Sequence, residues 1–316
     1  MVVGSLNMDL VAISPRIPVV GETIIGDKYF SEPGGKGANQ AYGAGLLGGS
    51  VAMLGRVGDD EFGREMKENL KKANCDTTGI REVKGVSGVA LIFVAADGAN
   101  SIIVVPGANN DFTPGHVEED AALLKGSHVV LLQLENPTPT VLAAAKAARA
   151  AGARVILDPA PAPEKPLPEE LIRSVDIMTP NETEAAILAG LKPGTLEPAQ
   201  AVQIGRKLQG MGATTVIVKL GSQGCVIVNK DKGQATLLAA PKVTASDTTA
   251  AGDVFGAALG VALSEGLDLP AACRFANYAA SLSVTRIGAQ ASVPTRKEVE
   301  EFAKSNSVAN PVDLAG

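Results

Sequence analysis

The spacing of hydrophobic and polar residues divides the chain into two parts with different patterns. Up to about residue 110, short apolar stretches separated by turn residues predict strands at 2–5, 10–13, 22–25, 88–95 and 101–105. The last two enclose a polar five-residue segment, 96–100, which is typical of a hairpin. These strands predict a small sheet projecting from the main body, built from segments near 10–30 and 85–105.

From about residue 115, apolar strands alternate with helices. Strands are predicted at 128–134, 154–158, 176–179 and 214–219, and helices at 138–151, 182–189, 198–210, 252–265, 270–285 and 295–304. This alternation is typical of a parallel sheet covered by helices on both faces. We expect a single α/β domain over residues 1–304 with the small sheet as an appendage, and a loose tail at 305–316.

The composition narrows the classes of partner. The 316 residues are 46% hydrophobic but only 3% aromatic, so aliphatic side chains must fill a sizeable core. The net charge is −6 and there is no basic block, which argues against nucleic acid and anionic membranes as partners. An anionic substrate must therefore be held by local groups.

Cysteine spacing and the lack of targeting segments predict a cytoplasmic protein. Cys75, Cys225 and Cys273 are far apart, odd in number and without metal-ligand spacing, so we expect free thiols in a reducing compartment. No stretch is long and apolar enough to span a bilayer, and the first strand begins without a preceding signal peptide.

Two carboxylates enclose a run of small residues where a helical pattern begins. Asp247 and Asp253 flank residues 248–252, and the apolar run 254–259 follows. Unpaired N–H groups in the first turn of a helix favour an anion, and a carboxylate beside them is suited to accept a proton. Taken alone, the segment fits a simple helix cap equally well. The functional interpretation is phosphoryl transfer to a hydroxyl.

Two common nucleotide-binding motifs are excluded. The glycines at 43, 45 and 48 match G-x-G-x-x-G, but they lie in a predicted helix at 37–47 and not after a strand. The segment 34–37 resembles a P-loop, yet Phe30 replaces its first glycine and Gly37 replaces the Ser or Thr after the lysine.

Three further polar segments are candidates for ligand binding. Lys36 and Asn39 lie one helical turn apart and offer donors to a polyol, although 33–40 could also be a flexible turn. Asn181 and Glu184 carry oxygen ligands suited to Mg²⁺, or they simply cap a helix. Residues 219–224 fit either a plain turn or a backbone-lined nucleotide loop. The last two segments follow predicted strands, where open α/β sheets bind ligands.

Together these segments resemble the ribokinase-like sugar kinases, the PfkB family. The resemblance extends from residue 2 to about 302 and is carried by residues 4–9, 34–39, 133–135, 158–162, 179–184, 220–222, 247–253 and 285–290. It implies a three-layer α/β/α sandwich with a central, mostly parallel sheet and a small β-sheet lid. It also implies an ATP-dependent carbohydrate kinase that is a homodimer through the lid.

The resemblance assigns roles to individual residues. Asp253 would be the general base, and the backbone amides of Ala250, Ala251 and Gly252 would form an anion hole. The residues implied to bind the sugar are Asn7, Met8, Asp9, Gly35, Lys36, Gly37, Ala38, Asn39, Glu135 and Asp253. Those implied to bind ATP are Asn181, Lys219, Leu220, Gly221, Ser222, Gln223, Gly224, Gly252 and Asn277, with Glu184 holding Mg²⁺ through water. Those implied for the activating monovalent cation, K⁺, are Asp247, Thr249, Ser283, Arg286, Gly288 and Ser292, several through carbonyl oxygens.

Individual positions refine the expected substrate. The wider family usually has glycine where this chain has Ala250, and that difference favours D-ribose as acceptor, phosphorylated at its 5-hydroxyl. Lys36 and Glu135 favour a small polyhydroxylated sugar over a nucleoside. The alternatives are a kinase for deoxyribose, fructose, 2-keto-3-deoxygluconate or a nucleoside, or a non-catalytic sugar sensor.

Three positions depart from the family pattern. Val254 and Gly256 stand where Thr and Asn are common, on the helix behind the base. Lys219 replaces a residue that often carries a small hydroxyl. Its charge would lie near the ATP phosphates or extend into solvent.

Overall fold

The computed structural model describes residues 1–229, 233 and 235–314, which contain fourteen strands and ten α-helices. The strands are β1 (Val2–Val3), β2 (Asn7–Ser14), β3 (Lys28–Gly34), β4 (Val51–Gly58), β5 (Cys75–Val83), β6 (Gly88–Ala95), β7 (Asn100–Val105), β8 (Val129–Leu132), β9 (Arg154–Leu157), β10 (Ile177–Met178), β11 (Thr215–Lys219), β12 (Cys225–Asn229), β13 (Ala235–Leu238) and β14 (Val312–Leu314). The helices are α1 (Lys36–Leu46), α2 (Glu61–Lys72), α3 (Pro114–Glu119), α4 (Thr138–Ala150), α5 (Glu169–Arg173), α6 (Glu182–Leu188), α7 (Pro198–Gly210), α8 (Ala251–Ser264), α9 (Leu269–Ser283) and α10 (Arg296–Ser305).

Ten strands form the central sheet, in the order β14-β13-β12-β11-β10-β9-β8-β1-β4-β5. The strands from β11 to β5 pair in parallel, and β1 lies between β8 and β4. Strands β12, β13 and β14 extend the sheet beyond β11 by antiparallel pairing. The prediction of a mostly parallel sheet is confirmed, and the carboxyl ends of the parallel strands meet at one edge.

Helices cover both faces of this sheet because strand side chains alternate between two apolar cores. Val2 of β1 joins the core that includes α1, α8 and α9, whereas Val3 joins the core that includes α4, α6 and α7. Leu131 and Leu132 of β8 divide between the two cores in the same way. Alternation of this kind is what a strand buried on both sides requires. The expected three-layer sandwich is confirmed.

The other four strands form the separate small sheet, in the order β3-β2-β6-β7. β6 and β7 are the predicted hairpin, and β2 pairs in parallel with β6 and antiparallel with β3. β7 is exposed along its whole length, including Ile102 and Ile103, whose exposed fractions are 53% and 56%. The small sheet therefore ends in an exposed apolar edge strand.

The strand predicted at residues 22–25 is wrong. β2 continues to Ser14, and its antiparallel register pairs Ile13 with Lys28, so the partner strand begins at Lys28. Residues 15–27 consequently form the connecting loop. Glu22 stabilises that loop because its carboxylate accepts hydrogen bonds from the Val19 backbone N–H at 3.1 Å and from the Arg16 guanidinium at 2.6 Å.

The loose tail predicted at residues 305–316 contains a strand. α10 ends at Ser305, and β14 pairs with β13 at the outer edge of the central sheet. Three residues are too few for alternation to reveal a strand in the sequence. Ala315 and Gly316 lie outside the described residues.

A buried ion pair links β4 to the segment after α3. Arg56 donates a 3.0 Å hydrogen bond from Nη2 to Oδ2 of Asp120, and Nε of Arg81 donates to Oδ1 at 2.8 Å. The exposed fraction of the side chain is 1% for Arg56 and 0% for Asp120. The Arg56 guanidinium also lies over the Phe112 ring, 4.7 Å from its centre. Each buried charge therefore depends on its partners.

The expectation that the three cysteines are free thiols is confirmed. Cys75, Cys225 and Cys273 are buried and unpaired. Across residues 1–229, 233 and 235–314, no helix combines the length and hydropathy that crossing a bilayer would need.

Candidate active site

A cavity of about 900 Å³ opens at the carboxyl edge of the parallel strands. Asp158 directly follows β9, Thr179 directly follows β10, and Lys219 is the last residue of β11. The first turn of α8 also lines the cavity. This is the position at which open α/β sheets bind ligands, and the volume is that of a small-molecule site.

The turn before α8 is built in an unusual backbone conformation. Ala250 has φ 58° and ψ 9°, in the left-handed region that residues other than glycine rarely adopt. The first i→i−4 hydrogen bond runs from Val254 N to Ala250 O at 2.9 Å, and Ala251 N donates to Thr248 O at 3.3 Å, so the amides of Gly252 and Asp253 precede the helical ladder. These two amides lie at the positive end of a 14-residue helix, the region where the sequence predicts an anion hole at Ala250, Ala251 and Gly252.

Asp253 is buried beneath this turn, with only 4% of its surface exposed. Oδ2 accepts a hydrogen bond from Nδ2 of Asn39 at 3.0 Å, and Oδ1 accepts one from Nε2 of Gln40 at 3.3 Å. Burial raises the pKa of Asp253 to about 6, against the opposing charge of Lys36. A carboxylate with such a pKa is ionised at neutral pH and still basic enough to accept a proton.

The residues predicted to bind a sugar converge beside Asp253, around the Glu135 carboxylate. Oε2 of Glu135 accepts hydrogen bonds from Ser5 Oγ at 2.5 Å, from Asn7 Nδ2 at 3.4 Å and from the Lys36 backbone N–H at 2.9 Å. Gly35, at φ 88°, allows this approach because a Cβ there would lie 2.6 Å from Asn7 N. The structure thus brings β2, α1 and the loop after β8 to one point.

Charge is unevenly distributed among these groups. Burial, together with the neighbouring carboxylates of Glu32, Glu135 and Asp253, raises the pKa of Asp9 to about 7. Burial alone would lower the pKa of the Lys36 ammonium, but nearby carboxylates, with Asp253 foremost, outweigh it and hold that pKa above its usual range. Lys36 therefore stays cationic within an acidic cluster.

Several predicted residues do not present a side chain to this cluster. Met8 and Ala38 are buried in the apolar core on the α1 side of the sheet. Gly37 approaches the backbone of Gly4 and Ser5 so closely that a Cβ would lie 2.5 Å from Ser5 N. Met8 and Ala38 therefore support the site by packing in the core, and Gly37 supports it by letting two backbone segments lie close together.

Asn181 and Glu184 form a capping box at the start of α6 and also line the cavity. Oδ1 of Asn181 accepts a hydrogen bond from Glu184 N at 2.8 Å, and Oε2 of Glu184 accepts one from Asn181 N at 2.8 Å. Burial raises the pKa of Glu184, an effect that the positive charge of Lys219 opposes. The cap and the candidate Mg²⁺ site are thus the same pair of side chains.

Lys219 does not extend into solvent. Its Nζ lies 2.8 Å from Oδ1 of Asp158, and only 12% of the Lys219 side chain and 4% of the Asp158 side chain are exposed. Asp158 also accepts hydrogen bonds from Thr179 Oγ1 at 3.5 Å and, through Oδ2, from Gln40 Nε2 at 3.4 Å. The sequence-based alternative of a solvent-exposed Lys219 is wrong because a buried carboxylate captures its charge.

The predicted nucleotide loop lines the cavity only in part. Gly221, Ser222 and Gly224 lie on its wall. Leu220 is buried in the other core, and Gln223 donates from Nε2 to Leu196 O at 3.4 Å, so neither side chain faces the cavity. Asn277 does line the cavity, while its Nδ2 donates to Leu238 O at 3.0 Å and so fixes the end of β13.

The residues predicted for a monovalent cation fall into two groups. Asp247 accepts hydrogen bonds from Thr249 Oγ1 at 2.7 Å and from Gly288 N at 2.9 Å, which brings these three together. The hydroxyls of Ser283 and Ser292 each donate at 2.9 Å to the carbonyl three residues earlier, and Arg286 pairs with Glu298 at 2.7 Å. In the part of the chain that the structure describes, no three His, Cys, Asp or Glu side chains cluster as a metal site.

The sequence did not identify the amide and carboxylate groups that hold Asp253 in place. Gln40 bridges Asp253 and Asp158, and its own Oε1 accepts a 2.6 Å hydrogen bond from Nε2 of Gln133. On the other side, Gln290 donates from Nε2 to Oδ1 of Asn39 at 3.1 Å. The only indication in the sequence was that Gln40, Gln133, Asp158 and Gln290 lie in or beside the segments that carry the family resemblance.

Comparison with known proteins gives concordant matches over almost the whole chain. The pfkB family of carbohydrate kinases matches residues 1–296. The ribokinase of Haemophilus influenzae is 41% identical over 302 residues, 95% of this chain and 97% of its own length, and that of Bacillus subtilis is 41% identical over 301 residues, 95% and 98%. A structure of Arabidopsis thaliana ribokinase with ribose and ATP superposes with a TM-score of 0.89 at 38% identity, covering 96% of this chain and 97% of that one.

Proposed function

The chain belongs to the pfkB family of carbohydrate kinases, and from this premise we propose that it is a ribokinase, transferring the γ-phosphoryl group of ATP to the 5-hydroxyl of D-ribose. The observation that carries the proposal is the buried carboxylate of Asp253 in the first turn of α8, beside the Gly252 amide that precedes the helical ladder. Asp253 lines the same cavity as Gly221 and Ser222, and its charge raises the pKa of both Asp9 and Lys36. This arrangement supports a proton acceptor that is close to both the proposed polyol site and the proposed nucleotide site.

In the proposed reaction, the 5-hydroxyl of ribose attacks the γ-phosphorus of ATP. The new O5–P bond forms as the bond from the γ-phosphorus to the bridging oxygen breaks, the electron pair of the broken bond leaves with ADP, and Asp253 accepts the hydroxyl proton. The amides of Ala250, Ala251 and Gly252 would stabilise the charge on the transferring group. Such transfer depends on alignment and charge stabilisation more than on covalent chemistry.

The remaining residues would position the two substrates. Asn7, Asp9, Lys36, Asn39 and Glu135 offer the donors and acceptors that sugar hydroxyls require, and the small sheet would close over the sugar to exclude water. On the ATP side, Mg²⁺ would neutralise phosphate charge when bound. Glu184 and Asn181 fit it through water because Mg²⁺ favours a few carboxylate and amide oxygens together with substrate phosphates.

The choice of ribose among related acceptors is tested by a sugar screen. With ATP and Mg²⁺ present, an assay of ADP production should give a higher kcat/KM for D-ribose than for deoxyribose, fructose, 2-keto-3-deoxygluconate or a nucleoside. A higher value for any of these would reassign the substrate within the family. Calorimetric binding of ribose without ADP production would instead support a non-catalytic sensor.

We also propose K⁺ activation at the loops around Asp247. A carboxylate, a hydroxyl and nearby backbone carbonyls are the oxygen ligands that a hard cation prefers, and Asp247, Thr249 and Gly288 lie together. Replacing K⁺ by tetramethylammonium in the ribose assay should lower kcat. Equal rates in the two buffers would contradict this site.

A homodimer through the small sheet is a further part of the proposal. β7 is an exposed apolar edge strand, and such edges are commonly covered in the native assembly. Light scattering should therefore give twice the 32.1 kDa mass of the chain.

Three buried free thiols also favour the reducing cytoplasm as the location of the protein, which cell fractionation would check.

The pH dependence of kcat/KM should have an acid limb set by Asp253. The base must be ionised in the free protein, and burial raises its pKa to about 6, so kcat/KM should fall as the pH drops below about 6 and level off above it. An Asp9→Asn variant distinguishes the titration of Asp253 from that of the neighbouring Asp9. Its kcat/KM should be lower than that of wild type, but the fall at acid pH should remain because Asp253 is still present. A profile that stays flat from about pH 5 to 8 would contradict the role of Asp253.

A further inference from the structure

Lys219 stands directly in front of the first turn of α8. A Cβ placed on Gly252 would lie 3.1 Å from Nζ of Lys219, so the ammonium occupies the space beside the Gly252 backbone. Both residues line the same cavity. The ammonium is therefore next to the Gly252 backbone in the first turn of α8, the point where a phosphoryl group would develop charge.

Cationic charge is scarce around this point. The described cavity wall carries the carboxylates of Asp158, Glu182, Glu184 and Asp253, and the whole chain has a net charge of −6. Of the lysines on the wall, Lys36 lies at the start of α1 among the sugar-binding groups, and Lys242 is exposed. Lys219 is the lysine whose ammonium lies beside the Gly252 backbone, in a partly buried site where a charge interacts strongly.

The ion pair with Asp158 holds Lys219 at this position. Asp158 is held in turn by hydrogen bonds from Thr179, directly after β10, at 3.5 Å and from Gln40 on α1 at 3.4 Å, and both keep its carboxylate inside the cavity. A buried Lys–Asp pair is weak support for stability, because desolvation offsets most of its attraction. Its location in a substrate cavity points to function instead.

We propose that Lys219 is a catalytic residue whose ammonium binds the transferring phosphoryl group at the first turn of α8, and that Asp158 is the residue that positions it. The proposal rests on the proposed function, since it assumes ATP in this cavity. Lys219 transfers no proton: it neutralises the equatorial oxygens of the phosphoryl group while Asp253 takes the hydroxyl proton and ADP departs. In the absence of nucleotide, Asp158 keeps the ammonium from leaving the site.

The test compares Lys219→Met, Asp158→Asn and the double variant with wild type. Removing one donor to a developing charge typically costs 10²–10³ in rate, so kcat of Lys219→Met should fall about 100-fold. The KM for ribose and the Kd for ADP should change less than about threefold. By contrast, the affinity for ADP together with aluminium fluoride, measured with ribose present, should fall about as far as kcat. Lys219→Arg should recover part of kcat, and Lys192→Met, at an exposed lysine, should behave as wild type.

Asp158→Asn tests the positioning role through non-additivity. It should lower kcat about tenfold in the wild-type background and less than about twofold in the Lys219→Met background, because Asp158 would act through Lys219. If Lys219→Met fails to fold with Asp158 left unpaired, the double variant, which removes both charges, is measured in its place and should show the same 100-fold loss.

Three outcomes would overturn the proposal. One is turnover within about twofold of wild type in Lys219→Met or in the double variant. Another is an equal loss of affinity for ADP alone and for the aluminium fluoride complex, which would make Lys219 a simple nucleotide ligand. The third is an Asp158→Asn effect that persists without Lys219. If wild type prefers another sugar, the ribose assignment fails, while the variant-to-wild-type ratio with that sugar still tests Lys219.

Discussion

Asp253→Asn should reduce kcat for ribose phosphorylation by about 10²–10⁴, the usual contribution of a positioned general base. The substitution keeps the size of the side chain but removes its capacity to accept the hydroxyl proton. Ribose should still bind, because Asn7, Lys36 and Glu135 hold the sugar site independently of that proton. Steady-state kinetics and calorimetry with ribose measure the two effects separately.

The control for this variant is Asp268→Asn. Asp268 also begins a helix, α9, where its carboxylate accepts a 2.8 Å hydrogen bond from Ala271 N, and asparagine caps helices equally well. Its kcat should equal that of wild type. Turnover near the wild-type rate in Asp253→Asn, or complete loss of ribose binding, would contradict the role of Asp253 as the base.

Asp120→Ala should lower the free energy of unfolding by about 3–5 kcal/mol, the usual result of leaving a buried charge without its partner. Arg56 is 1% exposed and would keep its position over Phe112 and its 2.9 Å hydrogen bond to Gly55 O, but lose its carboxylate. For a chain of this length the loss corresponds to a fall in Tm of about 5–8 °C. Differential scanning calorimetry at neutral pH measures it.

Glu68→Ala provides the comparison for the second prediction. Glu68 pairs with Lys71 one helical turn away, and 65% of its side chain is exposed, so solvent screens the pair and Tm should not change measurably. A Tm for Asp120→Ala within about 1 °C of wild type would show that Arg56 finds other partners or water.

Elements with clear local signals were predicted almost to the residue. The helix predicted at 198–210 is α7, Pro198–Gly210, because proline suits its first turn and the apolar spacing continues to its end. The predicted hairpin strands at 88–95 and 101–105 are β6 and β7, with one residue added to the second. Local chemistry was sufficient for such elements.

Other elements were missed because tertiary pairing decides them. β14 is a strand because it pairs with β13 at the edge of the central sheet. The start of β3 at Lys28 is set by its register with β2. The unit formed by β4, α2 and β5 was not predicted, although Asp60 caps α2 by accepting a 2.8 Å hydrogen bond from Gly63 N. The glycines and charges of that stretch hid its alternation of apolar residues.

The candidate site was predicted as a set of segments but not as a network. Family resemblance located Asn39 and Asp253, which are 214 positions apart and meet at 3.0 Å. It could not show that Lys219 reaches Asp158, or that Gln40 bridges two carboxylates, because those contacts depend on side-chain paths across the ends of β9, β10 and β11. Such contacts can be identified only in the three-dimensional structure.

The position of β1 constrains how the protein can fold during its synthesis. Both neighbours of β1 are made after it, and the pairing of Val2 with Leu131 waits for β8 to leave the ribosome. At a translation rate of about 5–20 residues per second, that delay is roughly 7–26 s. Asp253 appears only after about four fifths of the chain. The centre of the sheet must therefore remain incomplete through much of translation. During that period its apolar strands are exposed, and they are the part of the chain that chaperones would bind.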